Sequence, residues 1–239
     1  MGKIYSVFTH CVLLAAQQEG GYVRNIIGDR VMVVFSPDNC FTKAVNCAVT
    51  INHIAQKING KFDNFEFKCG IGIDYGRISV MKVGIIKKGT ENDDNKGLVW
   101  VGYPANFASR LTDCANKEFT DAIYSVDGEF YEYHLFDQNP FLSRSSGWYR
   151  KTQELSAEQL AESLSVSSYG QLTSSSFRNP CSIKKIERKY LYNPILISDK
   201  VYQEYIRCHD TEKKWWIKQT RIIRDVDFDV WGADLHWVL

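Results

Sequence analysis

The sequence has no apolar run approaching the ~20 residues that a helix needs to cross a bilayer, no C-x-x-C pair and no surplus of charge of either sign. Each absence removes a class of function. Lys and Arg number 29 against 28 Asp and Glu, a formal net charge of +1. A chain so balanced has no field of one sign to hold a polyanion or an anionic membrane, so neither nucleic acid nor a membrane is an expected partner. The 7 cysteines (Cys11, Cys40, Cys47, Cys69, Cys114, Cys181 and Cys208) lack zinc-site or redox-pair spacing and read as reduced thiols of a cytosolic protein. The five histidines show no metal spacing either. The opening Met1-Gly2-Lys3-Ile4-Tyr5 is too short and polar before Thr9-His10 for a secretory signal, and no repeat of 20–50 residues is visible. Core material is plentiful. Of 239 residues, 44% are hydrophobic, 13% aromatic and 24% charged, which excludes wholesale disorder and suits one sizeable domain or a domain with a large insertion.

Apolar residues at helical spacing, Ile4, Val7, Phe8, Cys11, Leu14 and Ala15, predict a helix over 4–18 that Glu19-Gly20-Gly21 ends. Two β-rich runs, YVRNII and RVMVVFS, flank Gly28-Asp29, a two-residue loop with Gly first as a type II′ turn prefers. A second helix is expected over 41–58, with Ala44, Val45, Ala48, Ile51, Ile54, Ala55 and Ile58 as its stripe. FEFKCGIGI and RISVMKVGI read as a second hairpin joined through Asp74-Tyr75-Gly76, KKGTENDDNKG as a loop and LVWVG as a short strand. Pro104 then opens a helix at its tolerated first turn. The pattern weakens after about residue 117. SAEQLAES reads as helical, the Ser-rich SLSVSSYGQLTSSS as a mobile surface loop, and YLYNPILISDKVYQEYIR as a strand and then a helix from Ser198-Asp199. The final 25 residues alternate like strands. The expectation is a single α+β domain over 1–239, its core at about 4–116 and 190–239, with 117–190 inserted and helices on one face of a mostly antiparallel sheet.

Several residues have the chemistry of a site. Asp29, at the tip of a rigid turn, could hold Mg2+ or Mn2+, hard cations that prefer oxygen; Gly-Asp is equally a good turn in its own right. Asn25, four residues earlier and alternating with Arg24, carries a carboxamide able to read a base edge, or is a polar residue in a half-exposed strand. Asn106 and Arg110, spaced i,i+4, share a helix face. There an arginine could neutralise charge developing at phosphorus and the asparagine could hold a ribose oxygen; a solvated polar face would look the same. Gly70, Gly72 and Gly76 lack the G-x-G-x-x-G spacing and the strand-to-helix step of a phosphate loop, and read as sites of close backbone packing. The basic cluster Lys184, Lys185, Arg188 and Lys189 reads as a solvated face.

Taken in order, NIIGDRVMVVF, CGIGIDYGRISVMKVG and VGYPANFASRL resemble the catalytic domain of class III nucleotide cyclases over about residues 4–116, with a weaker echo at ILISDKVYQEYI. The resemblance implies a ferredoxin-like fold and a homodimer with its active sites at the interface. It also implies two divalent ions, Mn2+ or Mg2+, and a nucleoside triphosphate whose 3′-hydroxyl attacks the α-phosphorus to expel pyrophosphate. Carried over by position, Asp29 is a metal ligand, Asn106 orients the ribose and Arg110 stabilises the pentavalent phosphorus, with Asp29 and the Asn106/Arg110 pair contributed by opposite protomers. At the base-reading positions, where adenylate cyclases commonly carry Lys and Asp, stand Asn25 and Val99, which argues against adenine. The whole chain then resembles the pyrimidine cyclases of the bacterial Pycsar antiphage system, whose cyclic UMP or cyclic CMP activates a separate effector. UTP is narrowly favoured over CTP, because an amide can present donor or acceptor to either base.

The chain departs from the family at its start. The opening strand with the first metal aspartate is absent, and the expectation is a start set too late, with a regulatory module lacking catalysis as the alternative. Lys218 and Arg221 are both candidates for the triphosphate-binding cation. A diguanylate cyclase is disfavoured, since the turn is Gly-Asp-Arg and not G-G-[DE]-E-F.

Overall fold

The computed structural model describes residues 2–61, 67–87, 90–132, 146–219 and 229–238. The elements are α1 (Gly2–Gln18), β1 (Tyr22–Ile27), β2 (Arg30–Val34), α2 (Cys40–Asn59), β3 (Ile71–Ile73), β4 (Ser79–Lys87), β5 (Thr90–Val101) and α3 (Tyr103–Cys114). They continue with β6 (Glu118–Glu132), β7 (Gly147–Ser156), α4 (Ala157–Ser163), β8 (Leu164–Val166), β9 (Leu172–Ser174) and β10 (Phe177–Leu191). The chain closes with β11 (Ile195–Ser198), α5 (Asp199–Cys208), a 3-10 turn (Asp210–Trp215), β12 (Ile217–Gln219) and β13 (Val230–Ala233). Two compact units result, one of residues 1–117 and 191–239, the other of 118–190.

In the first unit, β12-β13-β11-β3 form one sheet, in which β11 and β3 are parallel and the other pairs antiparallel. The β1–β2 and β4–β5 pairs are separate antiparallel ribbons. The fold is therefore α+β with largely antiparallel pairing. Helix α2 is buried on two stripes. Val45, Ala48 and Val49 pack with Ile195, Ile197 and α5, whereas Cys47, Ile51 and Ala55 pack with α1 residues Phe8, Val12, Ala15 and Ala16. Val23, Val31 and Val33 of the β1–β2 ribbon lean on this second cluster. Gly20 ends α1 with φ 69, its N–H donating to the Gln17 carbonyl while Gly21 donates to Ala16. This is the paired closure that a left-handed glycine permits.

Four expectations are corrected. Helices do not keep to one face of the sheet, since α2 and α5 pack on Ile195 and Ile197 of β11 and α3 packs on Leu196. β3 does not pair with β4; the parallel partner of β3 is β11, and β4 pairs with β5. The polar run after Lys87 is not a loop, because Thr90–Val101 is one strand in which Lys96 pairs with Gly84 and Glu91 with Ile86. Backbone pairing in a two-stranded arm tolerates polar side chains that a buried strand would not. The Ser-rich segment forms the β8–β9 hairpin, tied by Ser165 and Thr173 hydroxyls 2.9 Å apart. In the second unit, β10-β6-β7 form a three-stranded sheet around Val126, Phe130, Leu155, Leu160 and Phe177. Ser156 caps α4 in a reciprocal box with Gln159.

Candidate active site

The β1–β2 turn positions Asp29. Its left-handed φ falls on Gly28, at 59, and not on Asp29, as a II′ turn requires. The aspartate is thereby held at the exposed tip. Away from the turn the ladder slips. Ile27 faces Arg30, Ile26 faces Val31 and Asn25 faces Met32, but Val23 and not Arg24 faces Val33. The slip has a physical cause. Val31 and Val33 face the apolar cluster under α1 and α2, and a regular ladder would set Arg24 against Val33 on that face, burying a guanidinium without a counter-charge. The bulge puts Val23 there instead and turns Arg24 outward. Strict alternation had placed Asn25 opposite to Arg24; in the structure both lie on the outer face with Tyr22, whose ring sits 4.8 Å from the Arg24 guanidinium carbon.

Helix α3 positions Asn106 and Arg110. Its buried side is Pro104, Phe107 and Leu111, followed by Ala115 just past the helix. β3 lies so close that a Cβ at Gly72 would stand 2.3 Å from the Ala108 carbonyl oxygen, and one at Gly70 would stand 2.5 Å from that of Ala115. The glycines of the G-I-G-I strand thus serve close packing of strand on helix. Pro104, Phe107 and Leu111 take the inner face, so residues 106, 109, 110 and 113 take the outer one, where Asn106, Ser109 and Arg110 are exposed. Arg30, the residue after Asp29, reaches that face, donating to Ser109 Oγ at 3.1 Å and pairing with Asp113. One chain therefore joins the base of the Asp29 turn to the helix face carrying Asn106 and Arg110. Sequence reasoning passed over Arg30. Its position beside a turn aspartate, with Ser109 and Asp113 four apart on the opposing helix, is the signal that was there.

Val99 lies exposed on β5, facing Met81, and its neighbour Trp100 lies 5.7 Å from the Arg24 guanidinium carbon. Asn25 and Val99 are in this way carried on two strands whose side chains meet through the Arg24 guanidinium. Lys218 is ion-paired with Asp229, and Arg221 lies outside the described residues. Asp74, just after β3, accepts a 2.6 Å hydrogen bond from Ser198. Burial raises its carboxyl above the usual carboxylate range, opposed by that hydrogen bond and by Lys200. Burial also pushes the Cys47 and Cys69 thiols up to about 12, and all seven cysteines are unpaired. In the basic cluster, Lys185, Arg188 and Lys189 are ion-paired with Glu187, Glu154 and Glu118.

The oxygen donor of Asp29 suits Mg2+ or Mn2+. Among the described residues, no three His, Cys, Asp or Glu side chains gather into a metal-binding group. Among the described residues, no helix is long and apolar enough to cross a membrane.

No family model matches the chain. Three curated proteins named uridylate cyclase are similar to it. One from Burkholderia cepacia is 36% identical over 121 residues, covering 48% of this chain and 50% of the relative. Another from Gulbenkiania mobilis is 33% identical over 118 residues, 45% and 44% of the two chains, and one from Xanthomonas perforans is 31% identical over 133 residues, 52% and 54%. The chain spans about half the length of the curated relatives it matches. The resemblance to pyrimidine cyclases read from the motifs is thus matched by relatives that bear a pyrimidine cyclase's name.

Proposed function

We propose that this protein is a pyrimidine nucleotide cyclase of class III, ferredoxin-like build that converts UTP to 3′,5′-cyclic UMP and pyrophosphate. The observation that carries the reading is the outer face of α3. Asn106 and Arg110 stand there one turn apart and exposed, on the face that the Asp29 turn of a second copy would meet. The similarity to three proteins named uridylate cyclase supports it. In this reading Asn106 holds the ribose and Arg110 lies against the α-phosphoryl group. The 3′-oxygen forms a bond to the α-phosphorus as the bond to the bridging oxygen of pyrophosphate breaks. The hydroxyl proton passes to solvent, and the guanidinium offsets charge gathering on the phosphoryl oxygens. Asn25 reads the base. Asp29 offers an oxygen donor to the divalent ions, Mn2+ or Mg2+, which when bound would neutralise the triphosphate. Two copies of the chain pair to form the sites, and the cytoplasmic product acts on a separate effector in antiphage defence.

The lack, among the described residues, of a cluster of three His, Cys, Asp or Glu side chains favours one second reading, a regulatory module that binds nucleotide without turning it over. Arg110→Ala separates the two. If Arg110 acts mainly in the transition state, its loss lowers kcat about 100-fold or more while KM changes little. Wild-type protein that binds UTP with Mn2+ but releases no pyrophosphate would support the module and contradict the enzyme.

A further inference from the structure

The bulge in β1 sets a guanidinium beside the carboxamide proposed to read the base. Arg24 is exposed on the outer face of the ribbon, next to Asn25, and its guanidinium carbon lies 4.8 Å from the Tyr22 ring and 5.7 Å from the Trp100 ring. A ring over the face of a guanidinium leaves its in-plane N–H edges able to donate. The Trp100 indole nitrogen is buried without a hydrogen-bond partner, and it too can only donate. The Arg24 guanidinium thus presents donors beside an amide that can be either donor or acceptor.

This asymmetry bears on the base. Uracil carries a carbonyl acceptor at its 4-position, whereas cytosine carries an amino donor there. Asn25 alone can rotate to suit either ring. A group that only donates cannot, since it pairs with the uracil carbonyl and confronts the cytosine amine donor against donor, leaving both unsatisfied. We infer that Arg24 is a specificity-determining residue that selects uracil over cytosine by donating to the 4-carbonyl, with Tyr22 and Trp100 fixing its guanidinium. The inference rests on the reading of the site as a nucleotide cyclase with Asn25 at the base. It adds a residue that turns a tolerant carboxamide into a uracil-selective pair.

The test is the ratio of kcat/KM for UTP to that for CTP, measured with Mn2+ on wild-type protein and on Arg24→Gln, Arg24→Lys and Trp100→Phe, with melting temperatures as the folding control. Gln introduces an acceptor, so Arg24→Gln should lower the ratio about 10-fold or more, with a gain for CTP that mere loss of structure would not produce. Arg24→Lys, which keeps donors only, should hold the ratio above that of the Gln variant. Trp100→Phe, which keeps a ring but removes the N–H, should leave it closer to wild type than either. A ratio unmoved within about twofold in Arg24→Gln, or falling equally in the Lys and Gln variants, would overturn the role of Arg24 while UTP turnover left the cyclase reading standing. No cyclic product from wild-type protein with any of the four nucleotides would instead overturn the cyclase reading, and the role of Arg24 with it.

Discussion

β10 and β11 adjoin in the sequence and are built in opposite ways. All four side chains of β11 are buried, Ile195 and Ile197 against α2 and α5 and Leu196 against α3. Of the 15 residues of β10, only Phe177 is buried. β11 is a strand with helices on both faces, and it reads as a continuous apolar run. β10 keeps its place through backbone pairing, and its surface carries the ion pairs Arg178–Glu129, Arg188–Glu154 and Lys189–Glu118. The first unit is held by burial around a strand that also positions α3 through Leu196. The second holds only a small cluster under a charged, exposed sheet. The proposed chemistry belongs to the unit with the deeper core, where side chains can be kept in register.

If that contrast is right, Leu196→Ala should cost about 2–5 kcal/mol and lower the melting temperature of the first unit sharply, seen by calorimetry. Gly72→Ala should come next, at about 1–3 kcal/mol, because its methyl group meets the Ala108 carbonyl and the Leu111 side chain. It should also reduce activity by shifting α3. Arg188→Gln should change stability by about 1 kcal/mol or less, since exposed ion pairs contribute little; a loss as large as that of Leu196→Ala would break the comparison. Asp74→Asn sharpens it through pH. The folded carboxyl is raised above its unfolded value, so the protonated form is the one the fold favours. Its contribution is present at low pH and lost as pH rises through the folded value. The amide keeps an oxygen to accept from Ser198, so the variant should be slightly more stable than wild type at pH 7 and show no such gain well below the carboxylate range.

Much of the first unit was legible because its signals are local. The stripes of α1 and α2, the Gly28-Asp29 turn, Pro104 at the start of α3 and Ser198-Asp199 at the start of α5 are each fixed by neighbours in sequence. The pairing of β3 with β11 was not, since it joins residues more than a hundred positions apart and no local pattern states it. The polar half of β5 was missed because only its backbone pairing with β4 marks it as a strand. β6 was missed because its partners lie across the least patterned stretch. The positions of Asp29, Asn106 and Arg110 followed from turn and helix rules. The outward turn of Arg24 needed cross-strand parity as well. Counting back from the turn puts Arg24 on the core face, and only a bulge relieves that.

The central claim is that the outer face of α3 and the β1–β2 ribbon cyclise a pyrimidine nucleotide. It is tested most directly by incubating the protein with an equimolar mixture of ATP, GTP, CTP and UTP and Mn2+, and identifying the cyclic products by mass spectrometry. The account predicts cyclic UMP as the main product. Cyclic AMP or cyclic GMP alone, or four nucleotides left intact, would contradict it.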